Sequence, residues 1–128
     1  MRLLLDTHAL LWWLSDNPQL TKPATRAIAN TRNTVIVSAA SAWEIATRVR
    51  LGKLPTAVDL VADFVAQMER EGFQLLAVSV EHAIRGGMLP GPHKDPFDRM
   101  LIAQAQAEHL PIVSNETAFD AYGVRRVW

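Results

Sequence analysis

Asp6, Glu44, Asp98 and Glu116 each stand just after a short apolar run or in the opening turns of a helical stretch. Carboxylates brought together raise one another's pKa and repel, so a cluster of them persists at neutral pH chiefly when cations fill it. The chain has no cysteine, and a set of oxygen ligands suits Mg2+ or Mn2+ rather than a softer metal. Such ions activate water, neutralise a phosphate oxygen and stabilise a leaving alkoxide. The chemistry on offer is phosphodiester hydrolysis.

Each acid also has a simpler use. Asp6 can cap the helix that begins near His8. Ser41-Ala42-Trp43-Glu44 has the spacing of a capping box, in which Glu44 would reach back to an orphan backbone N–H. Asp95 precedes Pro96, as a helix cap precedes proline at the first helical position. Asp98, one turn along, then points back toward the helix N-terminus, where it either joins the cluster or merely offsets the helix dipole. Ser114 is a polar member of the site or a plain cap. Thr7 either orients Asp6 or caps the first helix.

Short apolar runs alternate with stretches of helical period, the pattern of βα units around a parallel sheet. Strands are predicted at Arg2–Asp6, Thr34–Ser38, Phe73–Val78, Pro111–Ser114 and Val124–Trp128. Helices are predicted at Ala9–Ser15, Lys22–Asn30, Ala39–Leu51, Ala57–Glu71, Val80–Gly86, Pro96–His109 and Thr117–Ala121. Gly72 should stop the fourth of these, and the breakers from Gly86 to His93 predict a loop leading into Asp95. In a parallel α/β sheet ligands gather at the carboxyl ends of the strands, which is where the acids fall.

A chain of 128 residues holds one core, so residues 1–128 are read as a single α/β domain. Hydrophobic residues make up 49% and charged ones 20% of the chain, a balance ordinary for a globular protein rather than a disordered one. Thirteen basic and thirteen acidic residues cancel, so nucleic-acid contact must come from local patches. The absence of cysteine fits a reducing compartment, and the cytoplasm is the expected location. No apolar run approaches the ~20 residues of a membrane-spanning helix, so no membrane partner is expected.

Leu3-Leu4-Leu5-Asp6-Thr7-His8-Ala9-Leu10 resembles the opening of PIN domains, and Ser38 through Ile45 resembles their second acidic motif. Asp95-Pro96-Phe97-Asp98-Arg99 through Ala105 is similar to the third motif of a bacterial VapC-like branch, the toxin half of VapBC toxin–antitoxin pairs. Ile112 through Phe119 completes the order, and the likeness runs from end to end. It implies a PIN-like three-layer sandwich with strand order 3-2-1-4-5, a Mg2+ or Mn2+ site, and hydrolysis of RNA. Asp6, Glu44 and Asp98 take the family's core acidic positions, as metal ligands and catalytic residues, and Ser114 takes the polar position after the fourth strand. Glu116 departs from the aspartate usual there, although its longer arm reaches a metal directly or through water; Asp120 is the alternative.

Around these acids, Arg48, Lys94 and Arg99 are candidate RNA phosphate contacts, with solvated surface charge as the alternative, as for Arg50 and Lys53. His8 and His93 either touch substrate or are structural. Trp12, Trp13 and Trp43 read as core or interface anchors, and Trp12-Trp13 in particular as exposed. The resemblance further implies a VapB-like antitoxin covering the acids, and a homodimer. A receiver domain is disfavoured because it needs paired acids after its first strand, and a haloacid-dehalogenase phosphatase because His8 stands where a second aspartate is required. The remaining rival is a PIN fold with weakened catalysis that serves as a binding or assembly module, a reading that Glu116 alone favours.

Overall fold

Leu3, Leu4 and Leu5 are all without solvent exposure, as only a strand covered on both faces can be. They form β1 (Arg2–Leu5), the centre of a five-stranded parallel sheet of order β3-β2-β1-β4-β5. The computed structural model describes residues 1–128. The other strands are β2 (Thr34–Ser38), β3 (Gln74–Leu76), β4 (Ile112–Val113) and β5 (Arg126–Val127). The helices are α1 (Thr7–Leu14), α2 (Lys22–Ala29), α3 (Ala39–Arg50), α4 (Val58–Ala62), α5 (Phe64–Glu71), α6 (Val80–Met88) and α7 (Pro96–Ala107). Two 3-10 turns, Pro55–Ala57 and Thr117–Tyr122, complete the chain.

Strand side chains alternate between faces, and the core divides accordingly. Leu3, Leu5, Val35 and Val37 pack on one side with Leu10 of α1, Ile28 of α2, Ile45 of α3 and Met68 of α5. Leu4, Ile36 and Ile112 pack on the other with Leu101, Ile102 and Ala105 of α7 and with Phe119. This is the predicted three-layer sandwich, with the predicted strand order. No helix is long and apolar enough to cross a membrane.

Two helical expectations fail. The continuous helix over Ala57–Glu71 is broken at Asp63, whose φ of −136° and ψ of 35° leave helical space. No glycine or proline marks the break; packing of Leu60, Val61 and Phe64 onto the core accompanies it. Gly72 does end α5, at a φ of 75° that suits a residue without a side chain. The loop expected from Gly86 begins later, because α6 runs through both glycines to Met88. At Gly86 a Cβ would lie 3.6 Å from the Cβ of Ala103 and from Met100, ordinary van der Waals contact, so an alanine would fit there while a longer side chain would press on α7.

Trp12 and Trp13 are half-buried rather than exposed. Trp12 lies 5.8 Å from the ring of Trp128, and Trp13 packs on Phe73 while its indole N–H donates to Glu71 at 3.0 Å. The exposed large apolar side chains include Trp43, at 62%, and Val80, Ile84 and Met88 of α6.

The two glycines of α6 should respond oppositely to added bulk. At Gly87 a Cβ would meet nothing within 4 Å, so Gly87→Ala should raise stability by roughly 0.5–1 kcal/mol. Gly86→Leu should lower it through overpacking by about 1–3 kcal/mol. Urea unfolding of both variants checks the pair; a Gly86→Leu chain as stable as wild type would show that α7 does not limit the side chain at this position.

Candidate metal centre

Asp6 leaves β1 at its carboxyl end and is 5% exposed. Its Oδ1 accepts the Ala9 N–H at 2.7 Å, so it does cap α1. That bond engages one of its two oxygens. Burial holds the Asp6 carboxyl above its ordinary pKa; hydrogen bonding to Ser114 and Ala9 and the charge of His8 pull it down, and Glu44 pushes it up.

Glu44 does not form a capping box. The cap of α3 is Ser38, whose hydroxyl accepts the Ala40 N–H at 3.0 Å. Ser41 instead bonds Thr7, whose hydroxyl donates to it at 3.0 Å and ties the start of α1 to α3. Glu44 therefore sits mid-helix at 8% exposure. Its Oε1 has no hydrogen-bond partner, and its Oε2 lies 3.9 Å from Arg48. A buried carboxylate oxygen without a donor is costly, and a cation is the ligand that would satisfy it.

Asp95 caps α7, as predicted, with Oδ1 accepting from the N–H groups of Phe97 and Asp98 at 2.9 and 3.1 Å. Asp98 follows one turn on, and its pKa is raised to about 7. Burial is the largest cause, followed by the charges of Asp95, Glu44, Asp6 and Glu116. The repulsion from all four places Asp98 in one field with the acids that sequence spacing singled out.

Ser114 is fully buried and accepts the Glu116 N–H at 2.9 Å. It does not cap the turn that follows; Glu116 does, accepting from Ala118 at 3.3 Å while remaining exposed. Asp120 is unsuited as a substitute, since both its oxygens face Arg126 at 3.0 and 3.4 Å. No three Asp, Glu or His side chains stand close enough to grip one ion directly. The donor set, the unpartnered Glu44 oxygen and the crowding at Asp98 all fit a hard divalent ion.

The basic candidates part company. Lys94 is exposed and Arg48 half-buried beside Glu44. Arg99 is committed to the backbone, donating to the carbonyl oxygens of His93 at 2.9 Å and of Leu89. Its role is to hold the loop before α7, which corrects its reading as a phosphate contact. Tyr122, which sequence reasoning missed, accepts the His93 N–H at 3.1 Å and lies against Gly91, whose φ of 100° and contact leave no room for a Cβ. So braced, His93 brings Nε2 to 3.3 Å from the Asp98 carboxylate. The geometry there does not make a hydrogen bond. His8 is exposed, 5.5 Å from the ring of Trp12.

A parallel 3-2-1-4-5 sheet with acids gathered at its carboxyl edge defines a class, and the chain belongs to it: it is a member of the PIN domain family, which matches residues 3–124. Among curated proteins it is similar to Ribonuclease VapC16 of Mycobacterium tuberculosis, with 48% identity over 60 residues. That stretch spans 46% of this chain and 41% of the relative, less than half of either. Its fold is similar to VapBC2 from Rickettsia felis, solved bound to a DNA fragment from the promoter, at a TM-score of 0.71 and 18% identity over all of both chains. It is likewise similar to FitAcB from Neisseria gonorrhoeae, at 0.68 and 18% identity over 97% of this chain and 95% of that one.

Two outcomes test the division of labour at α7. Asp95→Ala should lower stability by ~0.5–2 kcal/mol through the lost cap while leaving affinity for Mn2+ nearly intact; a large loss of affinity with an unchanged melting curve would exchange the roles of Asp95 and Asp98. The second concerns pH. Asp98 holds its proton up to about 7 when folded, against 3.8 as its ordinary value. The folded chain thus binds more protons between those values, and metal-free stability falls as pH rises through them. In Asp98→Asn that fall should shrink, so the variant gains on wild type between pH 4 and 8 in urea titrations. A pH-independent difference would refute the raised pKa.

Proposed function

We propose that this chain is a metal-dependent endoribonuclease that hydrolyses RNA phosphodiester bonds, acts in the cytoplasm, and is the toxin half of a toxin–antitoxin pair. The observation that carries the reading is Glu44 Oε1, buried without a partner, in an acid cluster where burial, and then the neighbouring charges, raise Asp98 to about 7. PIN family membership and the likeness to a named ribonuclease support it.

Asp6, Glu44 and Asp98 would hold Mg2+ or Mn2+, which when bound supplies water activation and neutralises phosphate charge. The protein's own part is orientation and proton balance. The Ala9 N–H fixes the rotamer of Asp6, and the Thr7–Ser41 bond holds the helix that follows Asp6 against the helix that carries Glu44. Asp98 must release its proton to become a ligand, so loading favours neutral to alkaline pH. Ser114 supports Asp6, and Glu116 at the rim reaches the site through water. Arg48 and Lys94 face the phosphate backbone.

An antitoxin segment has a place to lie. A cleft of about 870 Å³ runs between α1, the end of α3 and the α4–α5 pair, lined among others by Leu11, Trp12 and Leu60, with His8 and Arg48 on its wall. Those two residues flank the acids, so a helix seated in the cleft could carry a basic side chain into the site, where an arginine fork would bridge carboxylates. Self-association of the chain is the other partner reading, with the exposed apolar side chains of α6 in place of Trp12-Trp13 as its surface.

One observation favours the rival, a weakened binding module: Glu116 is exposed and turned to capping. A cleavage assay separates the two. Purified chain should cut single-stranded RNA with Mg2+ or Mn2+ and not in EDTA, and Asp6→Asn should fall to background while keeping its circular dichroism spectrum. RNA binding without cleavage in either metal would establish the module instead, and activity retained by Asp6→Asn would end the assignment.

A further inference from the structure

Gln104 lies in the middle of α7 with no exposed surface, in a run otherwise apolar or small. A buried amide is costly unless its polar atoms are bonded, and here each is. Its Oε1 accepts the Ser38 hydroxyl at 2.5 Å, and its Nε2 stands 3.3 Å from both the Ala77 carbonyl and Nδ1 of His82. The hydrogen-bond roles are forced. His82 Nδ1 also accepts the Ser79 N–H at 3.1 Å, so that nitrogen carries no proton, and Nε2 donates to Glu108 at 2.9 Å. Gln104 must then present its NH2 group to His82 and its oxygen to Ser38.

Ser38 is the cap of α3, and the oxygen that donates to Gln104 also accepts from Ala40. One hydroxyl therefore ends β2, starts α3 and ties both to α7. Glu44 lies six residues beyond Ser38 on α3, and Asp98 six residues before Gln104 on α7. At 1.5 Å per residue, each acid is about 9 Å along its helix from this bond. The sheet alone does not fix their spacing, because α3 follows β2 and α7 precedes β4, and β1 lies between those strands. At the rim the two helices also meet through Trp43 and Phe97, ring centroids 4.8 Å apart. That contact is exposed on the tryptophan side and less directional than the buried bond.

We propose that Gln104 is a positioning residue: its bond to Ser38 sets α3 against α7 and thereby the gap between the Glu44 and Asp98 carboxylates that a divalent cation fills. The inference rests on the metal-dependent reading above. It predicts an effect on metal affinity distinct from any effect on stability.

The test is calorimetric titration of the metal-free chain with Mn2+ alone, at a temperature where circular dichroism shows every variant folded. Gln104→Met keeps length and burial and removes both polar atoms; Ser38→Ala removes the other partner. Each should weaken Mn2+ binding roughly tenfold, as loss of an outer support does. The double variant should lose clearly less than the sum of the two single ones, since they share one bond, although Ser38→Ala also removes the cap of α3. Ser38→Thr, which keeps the hydroxyl, should stay near wild type, and this pair decides the matter if Gln104→Met does not fold. Ile28→Val on α2, away from the acids, reports the effect of stability alone and should leave affinity unchanged. Wild-type affinity in both Gln104→Met and Ser38→Ala, additive losses, or an equal loss in Ile28→Val would overturn the positioning role. A wild-type chain that binds no Mn2+ would instead overturn the metal-dependent reading itself.

Discussion

Mutual repulsion among carboxylates, enforced by burial, is the constraint around which the rest of the molecule is arranged. Asp6 and Glu44 are almost fully enclosed, and Asp98 is pushed up to about 7 by burial and by the charges around it. An arrangement so unfavourable in isolation needs rigid walls. They come from a central strand whose leucines are sealed on both faces and from helix caps that set each acid's direction. The Ala9 N–H turns Asp6, and Asp95 starts α7 so that Asp98 falls one turn inside. Stability is thereby traded against a site that an ion would relieve, as functional sites commonly trade it.

The acids at the strand ends were legible in sequence because two independent regularities coincide there. Apolar runs locate strands, and polar residues directly after them locate a ligand crevice. The simpler uses of these residues were legible too, but the structure sorts them unequally. Asp6 serves both purposes, since a carboxylate has two oxygens, whereas Glu44 is released from capping because Ser38, three residues before Ser41, had already begun the helix.

What sequence could not supply was tertiary. The break at Asp63 has no local signature, and the passage of α6 through Gly86 and Gly87 contradicts one, because the packing of α6 along α7 outweighs helix propensity. Trp12 and Trp13 looked exposed until Trp128, Phe73 and Glu71 came beside them. Arg99 looked like a surface cation until the loop it holds was seen to bend over it. Gln104 did leave a trace, an amide amid the apolar residues Leu101 to Ala105, but its partners Ser38, Ala77 and His82 lie 66, 27 and 22 residues away in the chain.

The central place of β1 has a bearing on how the fold is reached. Its neighbours on the two sides are β2, which follows soon after, and β4, which pairs Leu4 with Ile112 and Leu5 with Val113. One flank of the strand can thus be zipped early, while the other waits for a closure spanning most of the polypeptide, the slow kind of contact in folding kinetics. Ser114, at the end of β4, arrives beside Asp6 only with that closure. During synthesis Asp6 and Glu44 emerge well before Asp98 and Ser114, so the acidic edge can be completed only after that closure rather than growing with the chain.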